Sequence, residues 1–489
     1  MKQTAAIFTP TNLFYTLLAA GTFFMILTAQ VFWSAIHGDG AVYSWIVREI
    51  SEAGFLAGQL PSWDRTRVFA EHPYLFFYFS SLFTSVLGYS DIVLKIPNFA
   101  IAAFSILAVY VVSRKNNFSY LHFNTSQDRH AIGLLAGYVL VINATYIMQV
   151  AQPSLDPLAQ LLAFLSVTVW IFYRQAFWSG ILLGLAFLTK GLEILPHLAA
   201  LALLVSLQNF SSKSSSTVDY FKQIAVFSLG LILPISIWVG YDLTIWNGQW
   251  ISTYWSRQFT QRFFNQENLQ FVWSFGILTT FIEVYLFEIL FLSSALVLSA
   301  YQLHSHKSFT ESLKRNISPL TLYFVFYIFF NLLAFWLIKK DSSQHLTGVL
   351  LFGALPVAEA IYKIWKSLNF KFAHQLALFG FALSLGYWMW FVSGVQKNPD
   401  IWTAIKTESE RQQPDFKKLP IVVQNDTPEG YGFFYTVQWY FPEQTIYSPE
   451  MAVGDLSGKE VLLITDQGDG HLQASRTIYT QNSKLAEEP

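Results

Sequence analysis

The sequence has no cysteine, which removes disulfides, thiolate metal sites and cysteine nucleophiles together and leaves the redox compartment unmarked. Charge is scarce as well: 12% of the 489 residues are Asp, Glu, Lys or Arg, against about 25% in an ordinary soluble domain. With a formal net charge of -1 there is no basic excess of the kind that nucleic-acid binding needs, so nucleic acid is not expected as a partner. No Ser/His/Asp triad, phosphate-cradling glycine loop or zinc motif is recognisable as a string. No internal repeat is visible either, which disfavours the inverted-repeat architecture of many transporters.

What the chain has in abundance is long apolar runs, and 53% of its residues are hydrophobic. A bilayer crossing takes roughly 20 predominantly apolar residues. Such stretches recur at 12–36, 94–113, 131–148 and onward to residue 395, suggesting about eleven spans. The first is too long for a signal-peptide core, and Ala35-Ile36-His37-Gly38-Asp39 is a poor cleavage site, so it reads as a retained span. The fold expected is therefore mainly α. A polytopic transmembrane helical bundle fills residues 1–395, with juxtamembrane helices in the long loop 37–93, and a small soluble α/β domain follows at 396–489.

Within that loop Tyr43, Ile46, Val47 and Ile50 share one helical face, opposite Arg48, Glu49, Ser51 and Glu52, which predicts an amphipathic helix along the membrane surface. Residues 74–87 form a second helix candidate, too short and too rich in serine to cross. In the tail, 419–423 and 461–465 read as strands and 431–440 as a helix between them. Lys and Arg favour cytoplasmic connectors. Counting Arg114, Lys115, Arg129 and Arg174 among such connectors puts the N-terminus inside, and the loop 37–93 and the C-terminal domain outside. In a Gram-negative bacterium that is the inner membrane with a periplasmic reaction face.

The residues that could carry chemistry collect on that outer side. Asp39, in His37-Gly38-Asp39-Gly40, either caps the following helix or serves as a general base at the membrane edge. Glu71-His72-Pro73 either forms a solvated turn or lines the same cleft, orienting an acceptor or holding a divalent ion. Asp156 is a helix cap or a further acceptor-side acid. Lys190 either snorkels to the interface or, because it ends an apolar run too short to cross and return unless the chain turns there, marks an outside turn where a lipid phosphate could sit. Arg257 and Arg262, among aromatics, are interface anchors or a bidentate phosphate clamp. Lys339, Lys340 and His345 form a charged group between two spans, against the usual bias. Glu283 and Glu288, acids inside apolar segments, are what a proton-coupled transporter would use, and a flippase for polyprenyl-linked sugars is the competing class.

Four of these places resemble the C-type membrane glycosyltransferases, in particular the branch of bacterial protein O-mannosyltransferase-like enzymes and lipid A aminoarabinose transferases. Residues 39–50 are similar to the family's catalytic Asp opening a juxtamembrane helix, and Glu71-His72-Pro73-Tyr74-Leu75 to its acid-basic-Pro-Pro-Leu string. Residues 180–191 look like its Gly-Leu-Ala-Phe-Leu-Thr-Lys-Gly turn, and 340–356 like its basic loop leading into a helix with proline. The sequence departs from the pattern at Gly40, where the family commonly has a second acid, at His72, where the aminoarabinose enzymes tend to have Lys, and at Tyr74 in place of proline. The resemblance, which spans residues 30–360, implies an inverting displacement on a polyprenyl (undecaprenyl) phosphate sugar. Asp39 would deprotonate a glycolipid or protein acceptor, and Lys190, Arg257, Arg262, Lys339, Lys340 and His345 would face the donor phosphate. It implies no required cofactor and leaves a divalent metal ion open.

Overall fold

The computed structural model describes residues 35–36, 39–54, 69–115, 126–211, 217–260, 281–282, 319–337, 347–367, 421–424, 446–447, 460–466 and 472–478. Residues 12–34 of the first apolar run, the tail helix expected at 431–440, and Arg262, Glu283, Glu288, Lys339, Lys340 and His345 lie outside these residues.

Two short helices come first among the described residues. Helix α1 (Asp39–Ala53) puts Ile46, Val47 and Ile50 into protein, while Arg48 and Glu52 pair at 2.7 Å on its outer side. Its seam with α2 (Leu75–Leu87) is closed by the Ser51 hydroxyl, 2.6 Å from the Thr84 hydroxyl. At thirteen residues α2 is about 20 Å long, too short to cross.

The bundle follows as alternating passes. Helix α3 (Asp91–Lys115) is apolar and 25 residues long, enough to span. The next apolar run was expected to be one span, but it is broken: α4 (Ser126–Ile142) and α5 (Ala144–Ala151) meet at a 73° bend. Asn143 causes the break locally, because its extended backbone stops α4 while its side-chain oxygen accepts the Tyr146 N–H at 3.2 Å and starts α5. Helix α6 (Asp156–Thr168), with proline in its first turn, runs into a π-helical turn at Val169–Tyr173. Then come α7 (Ala176–Lys190), a 3-10 turn (Gly191–Ile194), α8 (Leu195–Ser211) and α9 (Thr217–Ile245).

Residues 176–208 form one uninterrupted helical stretch of 33 residues, yet they are not one rod. Arg174, just before α7, donates to the Gln208 side chain near the end of α8 at 3.2 Å, so the chain reverses in between, at Lys190 as the sequence suggested. The passes α6 and α7 are joined by reciprocal hydroxyl-to-carbonyl bonds of Ser166 and Ser179, at 2.7 and 2.9 Å. Helices α7 and α9 approach backbone to backbone. A Cβ at Gly180 would overlap the Phe227 carbonyl, and one at Gly184 would lie 2.6 Å from the Leu231 carbonyl, so these glycines are packing residues of the small-xxx-small kind. Among the described residues, α10 (Gln249–Tyr254) and a π-helical turn at Trp255–Thr260 come next, and then α11 (Pro319–Leu337) and α12 (Thr347–Ser367).

One core runs through α3, α4, α6, α7, α8, α11 and α12, and a second lies among α1, α2, the start of α3 and the aromatic stretch 246–254. In the tail, β1 (Ile421–Gln424), β2 (Ile446–Tyr447), β3 (Glu460–Asp466) and β4 (Leu472–Ile478) form one sheet in the order β2-β1-β3-β4, parallel except for the β3–β4 pair.

The hydrogen bonds sort the two ends of the bundle. At one end the Arg129 guanidinium donates to the Arg114 carbonyl at 3.2 Å, Lys115 meets the Tyr173 hydroxyl and Arg174 meets Gln208. The other end gathers Asp39, Glu71, Asp156, Lys190 and the aromatic stretch.

Candidate active site

The site is built on a turn. Between α5 and α6 the chain runs through Gln152-Pro153-Ser154-Leu155, and Asn98 of α3 ties it down. Its side-chain amide donates to the carbonyls of Gln149, Gln152 and Ser154 at 3.2, 2.8 and 3.0 Å. Gln152 in turn donates to the Ala35 carbonyl at 2.8 Å and so anchors the start of α1 on the same turn. This contact explains Gly40. A Cβ there would lie 3.0 Å from Gln152 Oε1 and 3.3 Å from Pro153 Cδ, so a side chain at position 40 would need these two residues to give by a few tenths of an ångström.

Asp39 opens α1 beside this contact. Its carboxylate is exposed and makes no hydrogen bond or ion pair among the described residues, which leaves its lone pairs available to an incoming proton. Asp156 begins α6 on the far side of the turn and is buried. Lys190, also buried, is bonded to Asp156 and, at 2.6 Å, to Glu193. Two of the three ammonium protons are thereby used, and the third remains for a ligand. The Lys190 group therefore carries a net negative charge, and an anion bound there needs further cations.

Tyr43 links the acids. One turn beyond Asp39, it is half-buried with its ring 5.5 Å from Phe77, 6.1 Å from His72 and 6.5 Å from Phe69. Burial, and then the charges of Asp39, Asp156, Glu71 and Glu193, push its hydroxyl well above the ordinary tyrosine range. All four carboxylates are thus within electrostatic reach of this hydroxyl. The hydroxyl therefore stays a donor at any physiological pH.

Glu71 and His72 are half-buried in the turn before α2, and the His72 carbonyl accepts the Trp250 indole N–H at 3.3 Å. Among the described residues no three His, Cys, Asp or Glu side chains group as a metal site would require. Arg257 is half-exposed, three residues past Tyr254 on the π-helical turn.

Thus Asp39, Glu71, Asp156 and Lys190 share one end of the fold, and Arg257 follows on the adjoining segment. Glu193, Tyr43 and Asn98 were not singled out from the sequence. Glu193 stands three residues after Lys190, the spacing of a helical ion pair, and Asn98 is an amide inside an apolar run. Both signals were available. Tyr43 gave none, since its spacing marked it as one of the apolar face.

Residues 71–238 match the model of the dolichyl-phosphate-mannose-protein mannosyltransferase family. The chain also superposes on ArnT from Cupriavidus metallidurans bound to undecaprenyl phosphate, with a TM-score of 0.57 at 11% identity over 93% of both chains. On the apo state of the same protein the TM-score is again 0.57, at 12% identity over 94% of both chains. This is the fold of the C-type membrane glycosyltransferases. No curated protein matches by sequence. Four helical stretches among the described residues are long and apolar enough to cross a membrane, as an integral membrane protein requires, and the family match covers α2 through most of α9, including Glu71, Asp156 and Lys190.

Proposed function

We propose that the protein is an inverting glycosyltransferase that moves a sugar from a polyprenyl (undecaprenyl) phosphate donor to a glycolipid or protein acceptor. The observation that carries this reading is the placement, at one end of a C-type fold, of Asp39, a carboxylate unpaired among the described residues, with the Asp156–Lys190–Glu193 cluster.

In this reading Asp39 takes the proton of the acceptor hydroxyl as that oxygen attacks the anomeric carbon. The bond to the phosphate oxygen breaks, and the polyprenyl phosphate leaves with the electron pair. Charge developing on that phosphate is met by the free N–H of Lys190 and by Arg257, where fixed donors in a water-poor cleft act most strongly. Because Lys190 is already shared by two carboxylates, Arg262, Lys339, Lys340 and His345 are assigned to the same phosphate as the additional cations it requires. Tyr43, Glu71, His72 and Asp156 form the acceptor side, where the acceptor's hydroxyl groups donate to the carboxylates and accept from the tyrosine. A divalent ion at Glu71 and His72 would belong to that side.

The reaction face is the periplasmic face of a bacterial inner membrane, with the N-terminus in the cytoplasm. This is supported by Arg114, Lys115, Arg129 and Arg174 lying at the end opposite Asp39, as the bias of basic residues toward the cytoplasm predicts. Residues 1–395 form the catalytic membrane domain and 396–489 a periplasmic domain.

The test is a transfer assay on purified protein in lipid, with a panel of radiolabelled undecaprenyl-phosphate sugars and an envelope acceptor extract. Label should pass to the acceptor with the wild type, and Asp39→Asn should lose about 10²–10⁴-fold of the rate, the usual contribution of a general base. Full activity of Asp39→Asn would remove Asp39 from the role of base.

A further inference from the structure

The turn that presents Lys190 and Glu193 is held from outside by a set of contacts that the proposed chemistry does not use. Asp242, near the end of α9, is fully buried, and its two carboxylate oxygens accept the backbone N–H groups of Trp250 and Ile251, each at 3.0 Å. The Asp242 carbonyl also accepts from Trp246 at 2.9 Å and from Gly248 at 3.1 Å. One residue thus closes the reversal 242–251, with Asn247 and Gly248 in left-handed conformation, and caps α10.

Helix α10 carries two side chains inward. Trp250 bonds the His72 carbonyl and stacks on Tyr254 at 4.8 Å. Tyr254, itself buried, accepts the Leu192 N–H on its hydroxyl at 2.9 Å. Gly191 is shaped to this ring: its φ is +70°, and a Cβ there would overlap the Tyr254 hydroxyl and lie 2.9 Å from Cζ. The glycine of the Thr189-Lys190-Gly191 string therefore does two things. It ends α7 in a left-handed turn, and it leaves room for a tyrosine from a segment some sixty residues away.

We infer that Asp242 and Tyr254 are positioning residues for the phosphate-facing side of the site. Asp242 fixes α10, Tyr254 fixes the Gly191–Leu192 backbone, and that backbone sets where Lys190 and Glu193 point. The brace rests on the polyprenyl-phosphate reading only for the ligand it serves. Its mechanical part stands on the contacts alone.

Two measurements test it. In the protein without ligand, amide hydrogen exchange at Leu192 should rise in Tyr254→Phe, which deletes the acceptor, and in Asp242→Asn, which acts fifty residues away. Unchanged exchange at Leu192 in both variants would overturn the brace whatever the ligand. In nanodiscs, affinity for undecaprenyl phosphate should fall about tenfold in Tyr254→Phe, the worth of one hydrogen bond. In a Lys190→Ala background the same Tyr254→Phe change should have no further effect, because it acts through Lys190. An equal further loss in that background would reduce Tyr254 to a general support of the fold and refute its positioning role. Wild-type protein that fails to bind undecaprenyl phosphate would instead count against the donor assignment, and the exchange result would then decide the brace alone.

Discussion

Replacing Lys190 by Met tests the centre of the site. The side chain is 5% exposed and is shared between Asp156 and Glu193, whose side chains are 9% and 15% exposed. Methionine has nearly the same length and no charge, so the packing is kept while two carboxylates are left facing each other without a counter-ion. Breaking a buried pair by removing one partner costs about 3–5 kcal/mol, and the upper half of that range applies here because two partners are stranded. Replacing the whole cluster is a different matter. Neutral groups of similar volume relieve the desolvation as well, and such exchanges are often neutral or stabilising. The triple variant Asp156→Asn, Lys190→Met, Glu193→Gln is therefore expected to recover to within about 2 kcal/mol of wild type while remaining inactive. The assay is unfolding of purified protein in micelles by SDS titration, followed by tryptophan fluorescence, alongside the transfer assay. If Lys190→Met unfolds with wild type, the ammonium is not held in a buried cluster and the site as described is wrong. If the triple variant is no more stable than Lys190→Met, stranded charge is not the cause of the loss.

Asn98→Leu deletes the amide bound to three carbonyls of the turn at 149–154 and should cost about 2–3 kcal/mol, with a matching fall in transfer rate, since that turn seats α1 and so Asp39. The same SDS titration reads it, and a stable, active Asn98→Leu would detach the turn from the site. Tyr43, whose hydroxyl is raised by burial and by four carboxylates, ionises in the unfolded chain before it does in the folded one, so the stability it contributes is present below about pH 10 and is lost as pH rises further. Tyr43→Phe should flatten part of the alkaline fall measured between pH 9 and 11, and an unchanged profile would place the hydroxyl in water.

How much of this was legible beforehand differs by element. The apolar run at 94–113 named a span and the structure has one at Asp91–Lys115, because twenty apolar residues have few other options. The pattern of Tyr43, Ile46, Val47 and Ile50 named α1, and the residues that follow Pro73 named α2. The same apolarity failed at Asn143. Hydropathy averages over a window and does not register one side chain that bonds its own backbone and turns the chain by 73°.

For the site, the sequence by itself determined the kinds of group available: acids, a lysine and an arginine in otherwise apolar surroundings stand out because burying them is expensive. Their partnerships were decided only by the tertiary structure. Lys190 read as a free cation awaiting phosphate, yet Asp156 arrives from a separate helix to bind it, and Tyr254, on a helix capped by Asp242, meets the Gly191–Leu192 backbone from some sixty residues away. A buried charge must find an opposite charge or aligned donors to be tolerated at all. Which group meets that demand depends on how the helices cross, and helix crossings are fixed by packing over the whole bundle rather than by any local run of residues.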